Sequence, residues 1–128
     1  MKKKLVAVLA MVIAAGLLGA VAQQATKAVA EVPFSFIGAG KTFPPGTYQF
    51  SLGKLPNQIF IRNTKETESA MVTASTRLSA KPGDDPVIVF DKVDNDHYFS
   101  ELYLPGRDGY AVQGAKGEHT HVLLKAKQ

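Results

Sequence analysis

The chain has 128 residues, with 15 Lys and Arg against 11 Asp and Glu, and no Cys. Lys2, Lys3 and Lys4 supply three of those cations, so the rest of the chain carries 12 against 11, which excludes a broad basic surface for nucleic acid or an anionic membrane. Without Cys there is neither a disulfide framework nor a lipid-modified cysteine, and stability must come from packing, strand pairing or association.

The first 22 residues have the layout of a secretory signal peptide. Three lysines precede an uncharged run from Leu5 to Ala22, which ends in the small-residue triplet Ala20-Val21-Ala22. Cleavage after Ala22 leaves residues 23–128, enough for one domain with a modest core. A second small-residue triplet, Ala28-Val29-Ala30, lies farther from the apolar run. The polar, Ala-rich residues 23–31 read as a flexible leader, and the domain as residues 32–128. The membrane is a partner only during export.

From Val32 onward, short apolar runs alternate with Gly, Pro, Asn and Asp every 8–12 residues or so, the pattern of an antiparallel sandwich or barrel. The first strand is predicted over Val32 to Ile37, with Val32, Phe34 and Phe36 on one face. Pro44-Pro45-Gly46 predicts a type II turn with Gly46 at positive φ. The next strands are Thr47 to Leu52, Gln58 to Arg62 and Ser69 to Ser75. Thr76 to Asp85 reads as an irregular surface connection. Val87 to Val93 is the most β-prone stretch, and Asp94-Asn95-Asp96 turns it into a strand from His97 to Leu104. Tyr98 and Tyr103 then fall on opposite faces of that strand, and an exposed aromatic near Arg107 or Tyr110 forms a potential ligand patch. Short strands at Tyr110 to Gln113 and His119 to Ala126 complete the set.

The run Val32-Pro33-Phe34-Ser35-Phe36, followed by Gly40-Lys41-Thr42-Phe43-Pro44-Pro45-Gly46-Thr47-Tyr48, resembles a family of small exported bacterial proteins common in acidobacteria. Its members open on V-P-F-x-F and continue through G-K-x-L-P-A-G-x-Y. The pairing of Val87-Ile88-Val89-Phe90 with Tyr98-Phe99-Ser100-Glu101-Leu102 is similar too, as is the loop around Gly106 and Gly109. The resemblance implies export and an all-β fold and supplies no activity. Pro45-Gly46-Thr47-Tyr48 is also similar to one strand of transthyretin-like and carboxypeptidase-regulatory sandwiches.

Few residues offer chemistry. Gly40-Lys41-Thr42 lacks the earlier glycine of a phosphate loop, and Phe43-Pro44-Pro45 forbids the helix that must follow. Asp91, Asp94 and Asp96 lack the spacing of a calcium loop and suit a hairpin turn. Ser100 and His97 fall on opposite faces of one strand, so they do not form a nucleophile and base. His119 and His121 share a face of a strand and can meet one Zn²⁺ or Cu²⁺ ion. His97, sharing a face with Glu101, completes such a site if its strand is adjacent. The plainer alternative is two solvent-facing histidines on an edge strand, with Val122 and Leu124 toward the core.

These features predict a single all-β domain, an antiparallel sandwich or partly open barrel of about seven or eight strands. It is expected to be secreted or periplasmic, non-catalytic and without a cofactor, binding an unidentified ligand or protein. One alternative is a structural protein of the cell surface or matrix that assembles into homo-oligomers through strand edges. The last is a small metal-dependent enzyme using His119, His121 and His97.

Overall fold

The computed structural model describes residues 26–128, which form eleven strands and no helix. The expected signal peptide and leader residues 23–25 lie outside the described residues. The strands build two sheets, of four and seven strands, packed as a sandwich.

The domain begins earlier than expected. Lys27–Val32 is strand β1, not leader. Its outer residues are Lys27, Val29 and Glu31 and its inner ones Ala28, Ala30 and Val32, so β-favouring Val alternates with Ala, Lys and Glu, which are depleted in strands. What makes it a strand is its neighbour, β4 (Gly46–Leu52), along which it pairs from Lys27↔Ser51 to Val32↔Gly46. The register places Ala28 opposite Phe50 and Ala30 opposite Tyr48, so small residues make room for large ones. Sheet one continues through β5 (Gln58–Asn63) and β6 (Ser69–Thr73), in the order β1-β4-β5-β6. Ile59 and Ile61 of β5 are fully buried, as the alternation predicts.

After β1 the chain crosses at Pro33-Phe34-Ser35 to sheet two, so the predicted Val32–Ile37 strand is split. There β2 (Phe36–Gly38) and β3 (Lys41–Phe43) form a tight hairpin. Its two turn residues, Ala39 (φ 53) and Gly40 (φ 74), both have the positive φ of a type I′ turn. Gly46 does not have positive φ; it is already a strand residue, paired with Val32.

The rest of sheet two comprises β7 (Thr76–Leu78), β8 (Val87–Val93), β9 (Asp96–Tyr103), β10 (Gly109–Ala111) and β11 (Thr120–Lys125), in the order β11-β8-β9-β10-β7. Strand β7 corrects the expectation of an irregular 76–85 connection: Thr76–Leu78 is recruited by pairing with β10. Strand β2 adds to β9 through a parallel pairing of Ile37 with Tyr98. The two sheets are bridged on one side, because Val29 of β1 and Lys127, just after β11, exchange backbone hydrogen bonds.

The core between the sheets is an aromatic seam. The Phe36 ring stacks on Phe43 at 4.9 Å and meets Tyr48 and Phe90 edge-on at 5.0 and 5.3 Å. Burying each such ring contributes about 1.5–3 kcal/mol.

A bulge between Val89 and Phe90 of β8 and their β9 partners shifts the register from Val89↔Glu101 to Phe90↔Phe99. Leu102 and Phe99 are therefore both core residues although three positions apart. Two expectations change as a result. Tyr98 and Tyr103 lie on the same outer face, and His97 no longer shares a face with Glu101.

Candidate metal centre

Strand β11 is the edge of sheet two and pairs only with β8 along its length, with His121 directly opposite Asp91. His119, just before β11, lies on the same face as His121, and their rings approach to 5.0 Å at 89°. Both imidazoles converge on one oxygen of Asp91. His119 Nε2 lies 3.5 Å from Asp91 Oδ1, and His121 Nδ1 lies 3.2 Å from it. The three ligand atoms are within 4.8 Å of one another.

The Asp91 side chain is 5% exposed, yet its Oδ1 accepts no hydrogen bond. Both nitrogens are near it without the geometry to donate. A buried, unsatisfied carboxylate oxygen is expensive and needs a cation or a proton donor. Ligand atoms 2.0–2.1 Å from a tetrahedral zinc ion lie about 3.3–3.4 Å apart, which matches the two N···O separations.

The outer atoms of this group are tied to backbone. His119 Nδ1 lies 2.8 Å from the Gly117 carbonyl; a hydrogen bond donated there leaves the Nε2 lone pair for a ligand. Asp91 Oδ2 accepts a hydrogen bond from the Ala115 amide at 3.1 Å. The residues after β10 make this possible by folding back over the outer face of sheet two. Gly114 sits directly on Asp91 and Ser100, where any side chain would collide with the carboxylate. That covering segment is why an aspartate on the outer face is buried.

The site remains open on one side. The His121 side chain is 51% exposed, and a recess of about 370 Å³ beside His119 is lined by Lys92, Asp94 and Glu118 among others. Three protein ligands plus solvent-accessible positions suit Zn²⁺ or Cu²⁺.

His97, the third histidine predicted for this site, is elsewhere. It pairs with Lys92 on β8 and belongs to the inner face, where its ring stacks on Phe34 at 3.8 Å. Its Nδ1 is buried without a hydrogen-bond partner. Burial pushes its pKa down, and the nearby Lys92 pushes the same way. The third residue of the cluster is instead Asp91, which lies in sequence beside the Asp94–Asp96 turn. The signal that marks it is a single acid inside the apolar run Val87-Ile88-Val89-Phe90-Asp91. Of the other residues considered, Lys41 forms a 2.8 Å ion pair with Glu68 on the β2–β3 hairpin, with no helix to make a phosphate loop. Ser100 is buried beneath Gly114.

The chain matches no family model, no curated protein and no solved structure.

Proposed function

We propose that this chain is an exported, non-catalytic β-sandwich that binds a divalent transition-metal ion, Zn²⁺ or Cu²⁺, through Asp91, His119 and His121. The observation that carries the reading is the buried Asp91 Oδ1, which lacks a hydrogen bond and faces two imidazole nitrogens at 3.5 and 3.2 Å. Binding rather than catalysis is favoured by the half-exposed His121 on a sheet edge, because catalytic metal sites depend on a dry, shaped cavity around the open position.

Export rests on the Lys2 to Ala22 layout and on the resemblance at Val32 to Phe36 and Gly40 to Tyr48. The position of β1 supports cleavage after Ala22. A cut after Ala30 would sever that strand and remove Ala28 and Ala30, both buried. Assembly by exchange of the leader is less favoured, since Lys27–Val32 already pairs with β4 of its own chain.

The test is zinc and copper titration of the full-length chain, expressed with its leader and purified from the exported fraction. Saturable binding lost in both His119→Ala and His121→Ala supports the reading. Equal uptake by wild type and both variants overturns it.

A further inference from the structure

A second site lies toward the other end of β9, independent of the histidines. There the β4–β5 turn, residues 53–57, meets β7 and the loop between β9 and β10, enclosing a cleft of about 270 Å³. Its chemistry is one-sided. Lys54, Arg77 and Arg107 line it together with Asn57, Gln58 and Tyr110, and none of the described residues that line it is acidic. The rest of the surface intersperses charges of both signs, so three cations around one small cleft stand out.

Two of these groups are held in place before any ligand arrives. Arg77 donates from Nε to Asn57 Oδ1 at 2.8 Å, and its guanidinium lies 4.5 Å from the centroid of the Tyr110 ring. Asn57 is itself fixed by a left-handed backbone, φ 63, and its carbonyl accepts from the Ala74 amide at 2.7 Å. Tyr110 is 4% exposed and anchored in β10. Stacking plus the Nε bond orients the guanidinium plane and leaves the two terminal nitrogens of Arg77 to serve a ligand. At the hydroxyl end of the ring, Arg107 Nη1 donates to Tyr110 at 3.4 Å. Among the described residues no carboxylate forms an ion pair with Arg77.

A planar, pre-oriented guanidinium beside a second guanidinium and an ammonium is an arrangement that binds tetrahedral oxyanions, through paired N–H···O bonds. The cleft volume holds such a group with a small organic substituent, and Leu52, Leu55 and Pro56 offer that substituent an apolar wall. We propose that this cleft is a binding site for a small phosphate or sulfate ester, with Arg77 and Arg107 holding the oxyanion and the Leu55-Pro56 turn packing against the organic part.

The experiment uses the exported full-length protein, with inorganic phosphate, inorganic sulfate and phenyl phosphate as probes against a constant chloride background. Titrations are followed by calorimetry and by amide shifts in two-dimensional NMR. The expected result is saturable binding, tighter for phenyl phosphate than for phosphate, with shifts centred on residues 53–58, 77 and 107–110. Arg77→Gln and Arg107→Gln should each raise Kd at least tenfold, and Leu55→Ser should remove the advantage of phenyl phosphate over phosphate. His119→Ala with His121→Ala should leave all three Kd values unchanged, which separates this site from the metal centre. Thermal melts identify any variant that fails to fold, and Lys54→Gln, at an exposed turn position, supplies a further charge-removing variant that should also weaken binding. Non-saturable binding of all probes overturns the proposal. So does binding that survives Arg77→Gln, Arg107→Gln and Lys54→Gln in folded protein, or that is lost with the two histidines.

Discussion

Gly114→Ala is the sharpest probe of the proposed metal centre, because it leaves Asp91, His119 and His121 themselves unchanged. A Cβ on Gly114 would lie 2.3 Å from Asp91 Oδ2 and 3.1 Å from Ser100 Oγ, whereas ordinary contact begins at 3.4 Å. The carboxylate or the covering segment must therefore shift by about 1 Å. Neither has an easy escape. Asp91 is 4% exposed, and its Oδ2 is tied to the Ala115 amide of the same segment. Overpacking of this size costs about 1–3 kcal/mol. Turning the carboxylate also moves Oδ1 away from the two imidazoles, and disturbing a ligand's support lowers metal affinity by about 10–100-fold. Urea unfolding of metal-free protein reads the first effect, and zinc calorimetry the second. Asp91→Ala removes the atom that the new Cβ meets. The double variant should therefore be more stable than the sum of the single effects predicts, by about 0.5–3 kcal/mol. Strict additivity in that cycle, or wild-type stability and affinity in Gly114→Ala, would refute the placement of Gly114 over the carboxylate.

Three further outcomes follow from other parts of the fold. His97 resists protonation when folded, so the unfolded chain takes up the proton first, and acidification through the ordinary histidine range near pH 6.5 removes stability. His97→Phe keeps a ring against Phe34 and deletes the titration; its Tm should fall less than that of wild type between pH 7.5 and pH 5, with zinc affinity unchanged at pH 7.5. Burial, and then the hydrogen bond to Glu101, push the Tyr103 hydroxyl up to about 12 from 10.0. Its contribution is intact below pH 10 and is lost as pH rises toward 12, so Tyr103→Phe should flatten the alkaline fall in stability measured by urea titration at successive pH values. Ala39 occupies a left-handed position with φ 53 in the β2–β3 turn, so Ala39→Asn, giving Asn-Gly, should raise stability by about 1 kcal/mol in the same assay; an unchanged or lower value would contradict the type I′ assignment.

Much of the sheet framework was legible because alternation reports burial directly. Val87 to Val93 occurs as read, and Gln58 to Arg62 forms the body of β5. Tyr48 and Phe50 turn inward, as do Ile59 and Ile61, because a period of two sends alternate side chains to opposite faces. The missed strands β1, β3 and β7 share one cause. β3 and β7 are only three residues long and β1 mixes two Val with Ala, Lys and Glu, so each is strand because a partner strand supplies its hydrogen bonds. The count of about seven or eight strands therefore became eleven.

For the metal centre, the local sequence determined that His119 and His121 share a face, because that depends only on the pleat of one strand. Which third residue meets them was decided by tertiary structure. The β8–β11 register put Asp91 opposite His121, the β9 bulge and the inward face took His97 to Phe34, and a glycine-bearing segment folded over Asp91 to shield it from water. Likewise, Arg77 and Arg107 stand thirty residues apart in the chain and share a cleft only because β7 pairs with β10. Side-chain direction along one strand is a local property of the backbone; register between strands depends on loops, bulges and partners distant in sequence, and it chose the residues of both sites.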